Sequence, residues 1–174
     1  QVRARARDIL GNYGVVYATK TFLYDTGAPV STVTYPSNGG AVNTLPITLA
    51  GTSSDPGNSL VSQVRLYLRR DDGWYWDSSN WVPGEEWLPA NPVGGNLDNW
   101  TKDTGNAFAG QDGVRFHVWT NARDNALNQE GYQKRATFVY DVTRPTCSVA
   151  YPYDNGYVSA AGKPYGNAYD PPNG

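Results

Sequence analysis

The sequence predicts an all-β protein, a β-sandwich of short strands, and three observations carry that prediction. Nineteen glycines and twelve prolines fall in short clusters between runs of β-branched and aromatic residues, the composition of many strands joined by turns. Val61–Arg70 alternates with a period of two, Val64, Leu66 and Leu68 against Arg65, Tyr67 and Arg69, and no segment offers an apolar stripe of helical period. The third observation is a stretch that the chain contains twice. Residues 6–36 align on residues 122–152 without a gap, at a constant offset of 116 positions. Ala6, Arg7, Asp8 and Asn12 fall on Ala122, Arg123, Asp124 and Asn128, and Tyr24, Asp25 and Pro29 on Tyr140, Asp141 and Pro145. One or two residues of slippage later, Gly51 and Asp55–Pro56 meet Gly166 and Asp170–Pro171. Self-similarity at a fixed period marks an array of units. The expected organisation is one complete unit, 29–144, flanked by the end of a preceding unit, 1–28, and the start of a following one, 145–174.

Taken in order, Val15–Tyr17 and Thr19–Tyr24 read as strands closing the first partial unit. Pro29 marks the boundary, because proline stiffens the chain. Val30–Tyr35 is the expected first strand of the complete unit, followed by a turn at Pro36–Gly40. Ile47–Ala50 is a second, closed by a polar loop at 51–59, and Val61–Arg70 a third. Asp71–Trp87 is dense in tryptophan and reads as a hairpin around Asp77–Asn80, with a long loop to Asn99 and a short strand at Trp100–Thr104. Val114–Thr120 alternates again, with Val114, Phe116 and Val118 inward. A loop at Asn121–Gly131 and a strand at Gln133–Val142 close the unit, and 146–174 restarts the pattern. About seven alternating strands in such a span are the signature of an immunoglobulin-like sandwich. The expected core is Val33, Ile47, Leu49, Val64, Leu66, Leu68, Val114, Phe116, Val118, Phe138 and Tyr140, with Trp76 or Trp81 covering a sheet face.

The Ala-x-Asp-x-x-x-Asn turn, the strand ending Phe-x-Tyr-Asp, the proline and the following x-Val-x-Tyr-Pro resemble bacterial Ig-like tandem repeats. The resemblance covers 6–36 and 122–152 directly and the whole unit by architecture. Gly11-Asn12 keeps the loop pattern of those repeats, whereas Leu127-Asn128 loses its glycine. The resemblance implies an extracellular or cell-surface location and roles ranging from adhesins, stalks and sheaths to accessory domains of enzymes.

Bulk properties narrow the classes. Fourteen basic and sixteen acidic side chains give a net charge of −2, so nucleic acid, which wants a basic patch, is not an expected partner. A single cysteine, Cys147, excludes a disulfide within the chain and is expected as a small buried hydrophobe. No apolar run approaches the ~18–20 residues of a membrane helix. Methionine is absent and Gln1 stands first, which reads as a mature or excerpted segment.

Catalysis finds little support. The one histidine, His117, lies mid-strand, and a serine triad or a zinc site needs partners the chain lacks. Glu85, Glu86 and Asp77 have the chemistry of a glycosidase carboxylate pair, but adjacent loop glutamates are ordinarily just solvated. Calcium is the stronger ligand expectation, since hard cations want clustered oxygens. Asp124, Asn125 and Asn128 share a loop near the linker that carries Asp141, with Asp8, Asn12 and Asp25 as their counterparts. The resemblance implies calcium at junctions between repeats; the alternative is that these residues only cap tight turns. Trp74, Tyr75, Trp76, Trp81 and Trp87 form the expected interaction surface, with three readings open: subunit packing, glycan contact or internal packing. Asn99-Trp100-Thr101 is a glycosylation sequon.

The expected function is therefore a non-enzymatic structural or adhesive segment of a long extracellular array forming a stalk, fibre or filament. Its partners would be neighbouring repeats or other copies of the chain, with strand exchange as one route. The alternative is a carbohydrate-binding accessory module that uses the Trp-rich hairpin on surface glycans.

Overall fold

The computed structural model describes residues 1–57, 59–160 and 162–170, which form strands and no helix. Those between Val30 and Tyr140 build a two-layer β-sandwich. One layer is a four-stranded antiparallel sheet in the order β10 (Asn91–Val93), β11 (Asn96–Asp103), β5 (Thr48–Ser54), β3 (Val30–Tyr35). The other runs β4 (Gly40–Val42), β13 (Gln133–Tyr140), β12 (Val114–Asp124), β6 (Val61–Arg70), β7 (Tyr75–Trp76), β8 (Trp81–Val82), with β9 (Leu88–Pro89) also on β6. The chain changes layer after β3. The turn at 36–40 clamps onto β13, the Gly39 N–H donating to the Thr137 carbonyl at 2.6 Å and the Thr137 N–H to Asn38 Oδ1 at 2.9 Å. β4 thereby pairs with β13 in parallel.

The core lies between the layers. Val64, Leu66 and Leu68 of β6, Phe116 and Val118 of β12 and Phe138 and Tyr140 of β13 are buried together with Ile47 and Leu49. Val33 and Val114 sit half-buried at its margin. Two large side chains that the alternation did not single out belong to it as well. Trp100 is fully buried, its indole N–H donating to the Thr52 carbonyl at 3.2 Å. Phe108 packs edge-on against Phe116, ring centroids 4.8 Å apart, from a run of turns where no period exists to find it.

Several expected boundaries shift. β5 continues four residues past Ala50 to Ser54, because the polar run still alternates inward: Gly51 and Ser53 are buried. Gly51 lies so close to its neighbours that a Cβ there would stand 2.0 Å from the Thr32 carbonyl oxygen and 2.1 Å from the Trp100 ring. The expected long loop before Asn99 instead holds β9, β10 and the start of β11, turning at Gly94-Gly95, both with positive φ. β12 runs on to Asp124, since Asn121 and Asp124 are buried and find hydrogen-bond partners there.

Two hairpins lie outside the sandwich. β14 (Thr146–Tyr151) pairs with β15 (Tyr165–Tyr169) in the register of β3 with β5. Thr146↔Tyr169, Val149↔Gly166 and Tyr151↔Tyr165 stand where Val30↔Ser54, Val33↔Gly51 and Tyr35↔Ala50 stand in the sandwich, with the irregularity at the same place. β1 (Val2–Ala4) pairs with β2 (Ala18–Lys20) at the positions of β12 and β13. Both hairpins expose apolar side chains, among them Ile9, Val15 and Val149. Cys147, expected buried, is exposed, because among the described residues no second sheet covers β14.

Candidate functional site

The duplicated Asp–Asn loop is a self-contained hydrogen-bonded unit. At its second occurrence the Asn128 N–H donates to Asp124 Oδ1 at 2.8 Å and the Asn128 amide to Asp124 Oδ2 at 2.8 Å. The Asp124 N–H donates back to the Asn128 carbonyl at 3.1 Å. Asp8 and Asn12 make the same bonds at 2.8, 2.9 and 2.9 Å. Turn capping is thus a real role of both pairs. Gly11 adopts φ 95° and Leu127, where the glycine is lost, φ 74°. Burial pushes the Asp124 carboxyl up, but the hydrogen bonds from the Asn128 side chain and the backbone outweigh it and hold the group below its ordinary value.

Only the second loop has company. Asp25, on the segment leading into Pro29, lies against it, the Asn128 amide donating to the Asp25 carbonyl at 3.1 Å. Asp55, from the loop after β5, completes a trio with Asp25 and Asp124 in which one carboxylate oxygen from each lies within 4.8 Å of the others. Asp124 is fully buried and the other two half-buried. Asp55 is anchored by the Gly57 N–H at 3.0 Å and the Ser59 hydroxyl at 2.9 Å. Asp25 Oδ1 accepts the Gly27 N–H at 2.8 Å, whereas its Oδ2 is buried with no partner. No lysine or arginine pairs with any of the three among the described residues.

This geometry suits a calcium-sized ion. Oxygens each 2.3–2.6 Å from one ion stand at most about 4.6–5.2 Å apart, and an orphaned buried carboxylate oxygen wants a cation. Asp25, Asp55 and Asp124 would be the ligands. The other candidates do not join them. Asn125 is exposed and its side chain donates to the Ser59 carbonyl at 2.8 Å. Asp141 caps its own turn at the Thr143 N–H, 2.9 Å, as Asp25 does at Gly27, but from the far end of the sandwich. Asp8 and Asn12 close their loop with no second carboxylate beside them among the described residues. Asp55 escaped the sequence reading, although its Asp-Pro pair recurs at 170–171; Asp170 is exposed, and Pro171 lies outside the described residues.

The Trp-rich hairpin divides. Trp76 faces the core and is 5% exposed, so it leaves the interaction surface. β7 and β8 pair Trp76 with Trp81 as the Asp77–Asn80 turn demands, and Trp81 is half-buried on Phe116, its indole N–H donating to the Ala107 carbonyl at 3.0 Å. Trp74 is exposed, while Tyr75 and Trp87 are half-buried on the opposite, outward side of the large sheet. There they join residues that sequence reasoning missed. Tyr67 packs against Tyr75, Trp87 and Trp119 at 5.2, 4.7 and 5.5 Å, and Tyr132 lies on Trp87 at 4.9 Å. Burial, then the nearby Glu85 charge, pushes the Tyr67 phenol well above its usual range.

The remaining candidates sit apart. Asn99 is exposed on β11, within reach of modification. His117 bridges Asp71 at 2.5 Å and the Thr137 hydroxyl at 3.0 Å. Glu85 and Glu86 are exposed, and Asp77 caps its turn, its carboxyl held low first by the Asn80 N–H and then by that of Ser79. One buried acid went unnoticed. Glu130 accepts the Ser31 N–H and hydroxyl, the Ala122 N–H and the Arg135 guanidinium, joining β3 to the last hairpin. No protein-family model matches this chain, and no curated protein matches it.

Proposed function

We propose that the chain is a non-enzymatic segment of an extracellular, cell-surface array of immunoglobulin-like repeats. The array would form a stalk, fibre or filament whose joints are stiffened by calcium. The single observation that carries this reading is the trio Asp25–Asp55–Asp124. It draws one carboxylate from the segment before the sandwich, one from the loop after β5 and one from the end of β12, so an ion bound there would fix the angle of entry. The strand order adds support. With the short β4, β7, β8 and β9 set aside, β3-β5-β11-β10 facing β6-β12-β13 follows the first-second-fifth-fourth against third-sixth-seventh order expected of an immunoglobulin constant-type sandwich. The shared register of β14–β15 and β3–β5 supports the tandem reading.

Thermal melting with calcium or with excess chelator tests the joint. Calcium at a hundredfold excess over its Kd raises stability by about 2.7 kcal/mol, and Asp25→Asn abolishes that rise while leaving the chelated midpoint unchanged or higher, since one repelling charge is gone. An identical midpoint for the unmodified chain in both conditions removes the reading. The alternative, a carbohydrate-binding module, is favoured by one observation: the outward aromatic cluster around Tyr67 and Trp87.

A further inference from the structure

We propose that the outward face of β6 and β12 binds an acidic polysaccharide, a chain of carboxylated pyranoses. The inference deepens the glycan reading and is independent of the calcium joint.

Register puts the face together. Tyr67 stands opposite Trp119, Arg65 opposite Asn121, Arg69 opposite His117 and Gln63 opposite Arg123. These alternate with Val64, Leu66, Leu68 and Val118, which point into the core, so all lie on the outward face of the sheet. Tyr67 and Asn121 are buried within it by their neighbours, and the others are half-buried or exposed. At about 6.6–6.8 Å per two residues, Arg65 to Arg69 spans about 13 Å along the sheet, the reach of an extended chain ligand rather than a single small molecule.

Two kinds of group are interleaved there. Ring faces come from Trp87, Trp119 and Tyr132, the last 59% exposed; flat rings receive the C–H faces of pyranoses. Cationic groups come from Arg65, Arg69 and Arg123. None of the three has a carboxylate partner among the described residues. Arg65 lies over the Trp87 ring at 5.6 Å, its Nη2 donating to Asn121 Oδ1 at 3.4 Å, and Arg69 lies over Tyr75 at 6.0 Å; a carboxylate is a stronger, bidentate partner for either guanidinium. The Arg65 and Arg123 Nε atoms and the Trp119 indole nitrogen are buried donors without acceptors. An unsatisfied buried donor is a cost to the free chain, and a ligand rich in acceptors relieves it at Arg65 and Arg123 once their long side chains turn toward it. Two acids border this side: Glu85, felt by Tyr67 through its charge, and Asp71, bound to His117 at 2.5 Å.

Titration of the full chain in chelator with oligogalacturonate, a neutral dextran oligomer, a sulfated glycan and a single-stranded oligonucleotide, followed by tryptophan fluorescence and calorimetry, tests the face. Saturable binding of oligogalacturonate is expected, weakened by salt, with dextran inert and the other two polyanions bound at least tenfold more weakly. Tyr132→Ala, exposed, and Arg123→Gln, half-buried, should each weaken binding by about tenfold with an unchanged melting midpoint; Arg69→Gln serves as a second cationic variant should Arg123→Gln unfold. Absence of saturable binding overturns the proposal. So does equal affinity for dextran, equal affinity for every polyanion, or affinity indifferent to all three substitutions.

Discussion

The loops Asp8–Asn12 and Asp124–Asn128 are the same structure in two settings. Their internal hydrogen bonds agree to within a few tenths of an ångström, yet Asp8 is exposed and Asp124 is fully buried. The flanking hairpins repeat the contrast: β14–β15 keeps the register of β3–β5 while exposing the side chains that β3–β5 buries. Local geometry here follows from nearby residues, whereas burial and a ligand-like cluster arise only when the rest of a sandwich arrives. The Asp–Asn loop alone is a turn; the loop plus Asp25 and Asp55 is a site.

The sharpest way to break that comparison is at its glycines. Gly51→Ala drives a methyl into the Thr32 carbonyl and the Trp100 ring, for an expected loss of about 3 kcal/mol or more and a fall in the sandwich's melting midpoint of roughly 10 °C. Gly166→Ala meets the Ser148 carbonyl at the same 2.0 Å but lies outside the sandwich, so the same melt should not move.

Acid separates the two loops next. Both carboxyls are held below the ordinary value of 3.8, Asp8 chiefly by the Asn12 side chain. A depressed folded-state value means a stabilising contribution complete above 3.8 and lost as pH falls through the lower value. Only Asp124 belongs to the sandwich. Asp124→Asn should flatten the acid limb of its midpoint-versus-pH curve, and Asp8→Asn should leave the curve in place.

The smallest effect concerns the lost glycine. Leu127 holds a positive φ that costs an L-residue about 1–2 kcal/mol, and its side chain is 65% exposed, so little packing is at stake. Leu127→Gly should stabilise the sandwich by about 0.5–1 kcal/mol after glycine's entropy is counted, read as a rise of a few degrees. A fall in midpoint would mean that Leu127 packs usefully after all.

Much of the fold was legible because alternation reports a half-buried sheet directly. Val61–Arg70 forms β6 with the expected ends, and nine of the eleven expected core residues are buried. What escaped obeys no period. Trp100 is flanked by Asn99 and Thr101 and hides its N–H on the Thr52 carbonyl, and Phe108 enters from turns. Polar residues also misled. Asn121, Asp124 and Glu130 read as loop, yet are buried, because hydrogen bonds to backbone and to Arg135 replace water. The candidate site was half visible: Asp124, Asn128 and Asp25 stood out through the repeat, while Asp55 comes from a separate loop and only the fold brings it in. The aromatic face was found at its edge, through Trp87 and Tyr75, and its centre, Tyr67 and Trp119, was hidden inside strands read for their apolar side.

The parallel pairing of β4 with β13 carries a mechanical consequence. The two strands run the same way, β4 lying along the last three residues of β13 and stopping level with its end at Tyr140. A pull applied through Pro29 and Pro145 therefore slides the two strands along each other and loads their hydrogen bonds together in shear, instead of opening them one at a time as in a hairpin pulled from one end. The Glu130 clasp on Ser31 lies across the same line of force, tying the first strand to the last hairpin. A sandwich wired in this way resists stretching along the chain, whatever its stability against heat.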